Sequence, residues 1–229
     1  MILGLDTTTD RLHLALVDGD ALWTRCVEAV PGRSHSATLL PTVGELLAEA
    51  GRAAADLTGV VVCVGPGGFT ALRIGVATAE GLALTGLPTW GFSAFELRAR
   101  TLALAGAQGP VWILLDGQRQ EAFVQLWDGA ALTAAVKRPL AALGELEGAW
   151  WAPEAFRDRP AAFLATGPLV LEDEREATLA GLAALCRELP LKAPESPLAP
   201  FYLRETDAEV NFPEASRHLS EAHRRGQAR

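Results

Sequence analysis

Residues 2–22 read ILGLDTTTDRLHLALVDGDAL, and this stretch decides the fold. Two apolar segments, 2–5 and 12–17, are separated by Asp6 and a polar run, and Asp18-Gly19 follows the second segment. An Asp-Gly pair between apolar segments is typical of a hairpin turn. The pattern predicts a strand–turn–strand–turn–strand unit whose third strand begins at DALW, residues 20–23.

The same pattern returns at residues 112–132, WILLDGQRQEAFVQLWDGAAL. A second, weaker echo links CVGPGG at 63–68 with LATGPL at 164–169. Because both pairs keep a similar order and separation, the chain is predicted to contain an internal duplication. The ungapped alignment of the first pair matches Leu5 with Leu115, Asp6 with Asp116, Leu16 with Leu126, Asp18 with Asp128, Gly19 with Gly129 and Leu22 with Leu132.

Two helices are predicted between these units. Residues 36–50, SATLLPTVGELLAEA, space their apolar residues along one helical face, and Pro41 predicts that the helix starts just before it or bends there. Residues 70–86, TALRIGVATAEGLALTG, are apolar nearly all round, and Gly75, Ala79 and Gly81 leave flat patches for another backbone. Such a helix must be covered on more than one side, either by its own domain or by a partner.

Composition restricts the class of protein. The 229 residues are 49% hydrophobic and 21% charged, as in a soluble globular protein, and the net charge of −8 argues against a large nucleic-acid surface. No apolar run approaches the ~20 residues that cross a bilayer, so we expect a cytoplasmic protein. The three cysteines form no CxxC pair, which indicates neither a disulfide framework nor a cysteine zinc site.

The glycine-rich stretch GPGGFTALRIG, residues 65–75, follows the apolar run VVVCV, residues 60–64. A strand that ends in such a turn and continues as a helix is typical of phosphate-binding loops. The Walker lysine is missing and the GxGxxG spacing is absent, so neither a P-loop nor a dinucleotide fingerprint is present. The four histidines show no metal-binding spacing, and no GxSxG motif occurs.

Asp6, Thr7 and Thr8 are similar to the first phosphate hairpin of actin-like ATPases, where an Asp holds hydrated Mg²⁺ and hydroxyls meet phosphates. The alternative is that Asp6 and Thr9 only shape the turn. The residues alone leave both interpretations open. Asp116, the duplicate of Asp6, is followed by GQRQE, so a symmetric nucleotide clamp is not expected.

Five segments together resemble the TsaB (YeaZ) family: ILGLDTTT, RSHSATLLPTVGELLAEAG, VGPGGFTALRIGVATAEGLAL, ILLDGQRQEAFVQLW and PFYLRE. They follow in order from residue 2 to about 204. The resemblance implies an α/β protein with a duplicated actin-like ATPase (ASKHA, ribonuclease-H-like) fold, two lobes of mixed sheet flanked by helices. The lobes are expected at 1–105, which carries the partner-binding helices, and at 106–210, with a polar, flexible tail at 211–229.

The resemblance also implies a function. Members of the family are non-catalytic subunits that form a heterodimer with TsaD, to which the ATPase TsaE also binds. The complex transfers a threonylcarbamoyl group to N6 of adenosine 37 in tRNAs that read codons beginning with A. By this resemblance we expect this chain itself to have no catalytic residue, metal or cofactor and to make no membrane contact. We expect ATP or ADP with Mg²⁺ to bind at the complex interface and tRNA to be contacted mainly through the complex. The resemblance also implies that the chain can form a homodimer when TsaD is absent.

The resemblance assigns residues to two sites. The partner surface, for TsaD or a second copy, comprises His35, Leu39, Leu40, Val43, Leu46, Leu47, Leu72, Arg73, Val76, Ala79, Glu80 and Ala83. A vestigial phosphate site comprises Asp6, Thr7, Thr8, Gly67, Gly68 and Thr70. Gly68 stands where the family commonly has Ser, and Ala71 where it has Gly, so the glycine loop is predicted mainly to start and orient the second helix.

Two enzymatic functions are alternatives to the scaffold function. The first is a small actin-like ATPase or phosphotransferase that uses Asp6 and the glycine loop at 65–70. The second, a peptidase of the glycoprotease type, follows only from the kinship with TsaD, and the absent metal ligands weigh against it.

Overall fold

The computed structural model describes residues 1–28, 35–156, 169–172 and 175–203. It contains two five-stranded sheets, in the orders β3-β2-β1-β4-β5 and β8-β7-β6-β9-β10. The strands of the first sheet are β1 (Ile2–Asp6), β2 (Arg11–Asp18), β3 (Ala21–Glu28), β4 (Gly59–Gly65) and β5 (Thr89–Ser93). Those of the second are β6 (Val111–Asp116), β7 (Glu121–Trp127), β8 (Val136–Pro139), β9 (Ala149–Pro153) and β10 (Leu169–Glu172).

The two sheets repeat one topology. In each, the first three strands are antiparallel neighbours, and the fourth and fifth strands add in parallel on the other side of the first. The identical order and pairing confirm the duplication predicted from residues 2–22 and 112–132. The turn at Asp18-Gly19 is also confirmed, and Gly19 has a φ of +58°, which glycine adopts without strain.

The third strand of the second unit is the exception. Leu132 forms only an isolated bridge with Trp127, and β8 begins four residues later at Val136. The backbone N–H of Leu126 donates to the Thr133 hydroxyl, 3.2 Å away, which interrupts the ladder at this point. The Gly-Pro echo at 164–169 lies outside the described residues, apart from Leu169 at the start of β10.

Within the described residues, four α-helices accompany the sheets: α1 (His35–Glu49), α2 (Phe69–Ala83), α3 (Ala94–Leu104) and α4 (Glu176–Glu188). The two helices predicted at 36–50 and 70–86 are therefore confirmed. Pro41 lies inside α1 at an exposed position, so the helix does not start there. Across the described ranges, every helix is too short or too polar to cross a membrane.

The first sheet is covered on both faces. One face packs against α1 and α2, and Leu3, Leu5, Leu12, Leu14 and Leu16 supply its contacts at the two-residue period of a strand. Ala15, Val61 and Phe92 point to the opposite face. There they share one core with α3, α4 and the second sheet.

Helix α4 joins the two halves of the chain. It follows the second sheet in sequence but packs on β1 and β2 of the first. Gly4 permits this approach, because a Cβ at that position would lie 2.5 Å from the Cys186 sulfur. The lobe boundaries at 105 and 210 stay a prediction, and the tail at 211–229 lies outside the described residues.

Candidate functional site

The turn between β1 and β2 packs directly against the glycine loop. The N–H of Gly68 donates to the carbonyl oxygen of Thr8 at 2.9 Å, and a Cβ at Gly67 would lie 2.5 Å from that same oxygen. The Thr7 hydroxyl donates to the carbonyl of Ala71 in α2 at 2.7 Å. Gly75 lies beside it, with the position of an added Cβ 2.5 Å from the Thr7 hydroxyl. Glycines at 67 and 75 therefore allow the turn and the start of α2 to touch.

Asp6 is fully buried at the end of β1. Its Oδ1 accepts hydrogen bonds from the Thr8 N–H at 2.9 Å and from the Thr8 hydroxyl at 2.6 Å. Its Oδ2 lies 3.8 Å from Nδ1 of His13, which is also fully buried on the neighbouring strand. The Thr9 hydroxyl accepts from the Arg11 N–H at 3.1 Å. These bonds favour the interpretation in which Asp6 and Thr9 shape the turn.

A buried arginine lies in the core shared by the two sheets. Arg98 of α3 is 1% exposed, donates to the Thr178 hydroxyl of α4, and lies 5.3 Å from the ring centroid of Trp151 in β9. A buried guanidinium is costly to desolvate unless such contacts compensate it. This residue was not predicted from the sequence, although its position three residues after Phe95 and four before Leu102 is on the apolar face of α3.

Two cysteines are buried in the same core. Burial, and then the nearby Asp6 charge, raise the pKa of Cys63 well above its ordinary value, and burial raises the pKa of Cys186 to about 12. A raised pKa keeps the thiol protonated, and only the thiolate is nucleophilic. Neither cysteine is therefore suited to catalysis.

The thiols provide a direct test of this packing. At pH 8 we expect a disulfide reagent such as DTNB to react rapidly with one thiol of the folded protein, the half-buried Cys26, and with all three in guanidinium chloride. Cys26→Ser should abolish the rapid reaction. Rapid labelling that persists in Cys26→Ser would contradict the burial of Cys63 and Cys186.

The faces of α1 and α2 differ from the predicted partner surface. Seven of the twelve assigned residues are buried within the chain: Leu39, Val43, Leu46 and Leu47 of α1, and Leu72, Val76 and Ala79 of α2. These seven side chains are therefore not exposed in the single chain, because the regular apolar spacing marks the face that packs on the chain's own sheet. Whether the two helices bind a partner stays a prediction.

The other five assigned residues are at least partly accessible. Leu40 and Arg73 are exposed, and Ala83 is half-buried. Nε2 of His35 lies 2.9 Å from the carbonyl oxygen of Thr9. The Glu80 carboxylate accepts from the N–H of Leu198 at 2.6 Å, so it holds a segment of this chain.

An exposed apolar groove runs between the outer faces of α1 and α2. Its volume is about 440 Å³, and Leu40 at its edge is 57% exposed. Ala77 and Gly81 are small residues one turn apart, so a partner helix can approach the backbone of α2 closely. We call this surface the α1/α2 groove; it is lined by Ser36, Leu39, Leu40, Ile74, Ala77, Thr78, Gly81 and Leu82.

The segment 192–203, which we call the C-terminal strap, runs beside β5. Thr89 and Glu195 exchange two hydrogen bonds, of 2.8 Å between Glu195 N–H and Thr89 carbonyl and 2.6 Å between the Thr89 hydroxyl and Glu195 carbonyl. Further along, the N–H of Phe201 donates to the carbonyl of Val64 at 2.6 Å. The strap therefore ends beside the glycine loop and the first turn of α2.

Comparison with known proteins decides the family. Residues 29–155, more than half of the chain, match the sequence model of a family described as TsaD: tRNA N6-adenosine threonylcarbamoyltransferase. The chain belongs to this family. The matched region of the TsaD-family chain includes α1, the glycine loop, α2 and the first four strands of the second sheet.

Curated relatives carry the TsaB name. The TsaD-family chain is 29% identical over 160 residues to the tRNA threonylcarbamoyladenosine biosynthesis protein TsaB of Escherichia coli, covering 65% of this chain and 68% of that protein. It is 32% identical over 129 residues to TsaB of Bacillus subtilis, covering 55% of this chain and 54%, about half, of that protein. The resemblance to the TsaB (YeaZ) family is confirmed.

Solved structures agree on the fold. YeaZ from Pseudomonas aeruginosa superposes with a TM-score of 0.68 at 24% identity, covering 88% of this chain and 99% of that chain. A second Pseudomonas aeruginosa structure, of an uncharacterized protein with similarity to peptidase YeaZ, gives a TM-score of 0.69 at 24% identity. The match covers 89% of this chain and 99% of that chain. The duplicated actin-like fold expected for this TsaD-family chain is confirmed.

The predicted phosphate site does not fit a nucleotide in this conformation. The hydroxyls of Thr7 and Thr8 and the N–H of Gly68 would have to meet the phosphates, yet all three donate within the chain. Gly67 and Thr70 are exposed, but neither replaces those donors. Phosphate or Mg²⁺ binding by this TsaD-family chain stays a prediction.

Proposed function

We propose that the chain is a non-catalytic scaffold subunit that forms a heterodimer with TsaD and thereby supports threonylcarbamoyl transfer to N6 of adenosine 37 in tRNA. The observation that carries this proposal is the α1/α2 groove. It is apolar and exposed, and it lies in the region that matches the TsaD family. The names of the curated relatives support the role in tRNA threonylcarbamoyladenosine biosynthesis.

The groove has the properties of a helix-binding surface. Leu40, Ile74 and Leu82 supply apolar side chains for contact with a partner. Ala77 and Gly81 are small, so a partner can approach the backbone of α2 in the groove. Full burial of one leucine-sized side chain contributes about 1.5–3 kcal/mol. A partner that supplies one or two apolar helices to this groove would cover a face of α2 that the described part of the chain leaves open. In the absence of TsaD, a second copy can use the same surface.

The geometry around Asp6 supports a scaffold more than an ATPase. The groups expected to hold phosphate bind the turn to α2 instead, through the bonds from Thr7 to Ala71 and from Gly68 to Thr8. The loop therefore orients the helix that borders the groove. ATP or ADP with Mg²⁺, and the ATPase TsaE, enter this proposal only at the level of the assembled complex.

Light scattering behind size exclusion tests the proposal. We expect the chain mixed with TsaD from the same organism to elute as one species with the mass of a one-to-one complex, and any homodimer to disappear. In cells depleted of the chain, mass spectrometry of tRNA nucleosides should show a loss of threonylcarbamoyladenosine. Separate elution with and without ATP and Mg²⁺, together with unchanged nucleoside levels, would overturn the proposal.

A further inference from the structure

An exposed arginine at the start of α2 is held in place by two aromatic rings. The guanidinium carbon of Arg73 lies 3.8 Å from the ring centroid of Phe69, one turn earlier in the helix. Arg73 Nε donates to the hydroxyl of Tyr202 at 3.2 Å, and the two aromatic rings are 5.5 Å apart. Each ring is 42% exposed. Tyr202 belongs to the C-terminal strap, so the arrangement joins residues 129 positions apart.

This arrangement orients Arg73 while leaving most of its donors open. The Nε bond to Tyr202 is its only hydrogen bond within the part of the chain that the structure describes, and the side chain is exposed. A guanidinium carries five N–H donors in a planar fork that matches a carboxylate in a bidentate manner. Stacking on Phe69 fixes the plane of the fork, so less conformational entropy is lost when it binds.

Arg73 lies next to residues of α2 that line the α1/α2 groove. The next residue, Ile74, lines the groove, and Ala77 follows one turn later. An apolar centre with arginine and aromatic residues at its border is typical of a protein–protein interface. The strap therefore brings Tyr202 to the edge of a surface otherwise built by the N-terminal half of the chain.

We propose that Arg73, positioned by Tyr202 and Phe69, binds a carboxylate side chain of the protein partner at the edge of the α1/α2 groove. This inference rests on the proposed function, because the partner is TsaD. Tyr202 is a positioning residue, and Arg73 makes the contact. The C-terminal strap thereby becomes part of the partner interface.

The local charge favours a carboxylate over nucleic acid. Arg73 is the only basic residue of α2, and the chain carries a net charge of −8. Nucleic-acid surfaces need clustered Lys and Arg to neutralise several phosphates. A single oriented guanidinium next to an apolar groove instead suits one acidic side chain of a protein.

The test measures the dissociation constant for TsaD by calorimetry at 50 and 300 mM NaCl. Because a hydrogen bond between charged groups is stronger than one between neutral groups, we expect Arg73→Gln to weaken binding about tenfold or more at low salt and to reduce the salt dependence. Arg73→Lys should recover only part of the affinity, since it keeps the charge without the fork. Tyr202→Phe should weaken binding a few-fold, less than Tyr202→Ala.

Controls separate the two proposals. Lys137→Gln removes the same charge from β8 of the second sheet and should leave the affinity unchanged. Arg73→Gln and Lys137→Gln should unfold close to the wild-type temperature, because both replaced side chains are exposed. A wild-type chain that fails to bind TsaD overturns both proposals. If the wild-type chain binds TsaD and Arg73→Gln binds it equally well, this inference alone is overturned. The same holds if Arg73→Gln weakens only the binding of ATP or tRNA.

Discussion

Leu39→Glu is expected to unfold the protein, whereas Leu40→Glu, one residue further along α1, is expected to leave it folded. Leu39 is 1% exposed and packs in the core beneath α1. Removing a buried leucine costs about 2–5 kcal/mol, and an unpaired carboxylate in its place adds several more. This approaches the ~5–15 kcal/mol by which a domain is stable. Leu40 is 57% exposed, so its replacement should change the free energy of unfolding by less than about 0.5 kcal/mol.

The same pair tests the groove. Leu40→Glu places a charge at the apolar edge of the proposed TsaD contact and should weaken binding about thirtyfold or more, as expected for an interface residue contributing ~2 kcal/mol. Urea unfolding followed by tryptophan fluorescence measures stability, and calorimetry with TsaD measures binding. A stable Leu39→Glu variant would contradict the packing of α1. If the folded Leu40→Glu variant bound TsaD as tightly as the wild-type chain does, the proposed location of the interface would be contradicted.

Gly67→Ala is the second large effect that we expect. The added Cβ would lie 2.5 Å from both the carbonyl oxygen and the Cβ of Thr8, and backbone atoms cannot rotate away. Overpacking of this kind costs about 1–3 kcal/mol, which lowers the unfolding temperature by about 2–4 °C per kcal/mol in a chain of this size. Because the clash separates the β1–β2 turn from α2, the orientation of α2 should also change, and TsaD binding should weaken.

The neighbouring glycine supplies the control. A Cβ at Gly68 would meet its nearest atoms, the Ala71 Cβ and the Thr8 oxygen, at 3.7 Å, which is ordinary contact. Gly68→Ala should therefore unfold within about 1 °C of the wild type, since it creates no clash and the φ of −59° at Gly68 is one that alanine adopts without strain. Calorimetric scans of both variants under the same conditions make the comparison. Equal unfolding temperatures for the two variants would show that the turn and the helix are not in direct contact.

Much of the fold could be predicted because its signals are local. The alternation of the apolar segments and the Asp18-Gly19 turn predicted β1 to β3, and the repeat around Asp116 predicted β6 and β7. Helical spacing likewise predicted α1 and α2. The third strand of the second sheet begins at Val136 and not near Leu132, and no periodicity reveals that the Thr133 hydroxyl accepts the bond from the Leu126 N–H.

The candidate site could be predicted only in part. The motifs indicated the family and the two helices that border the groove. The apolar residues of α1 were assigned to a partner, but the structure shows that Leu39 and Val43 cover the chain's own sheet. The spacing of residues in a short segment indicates that a helix face is apolar but not which part of the protein packs on it. Here strands far away in the sequence pack on that face.

The sequence by itself determined the duplicated α/β architecture, the positions of α1 and α2, and the family, because period, turn residues and motif order are properties of short segments. Only the tertiary structure decided which helix faces remain exposed, that the Asp6 turn binds α2, and that Tyr202 meets Arg73 across 129 positions. These depend on contacts between residues far apart in the chain. Their energies arise only once the sheets, helices and strap are packed together.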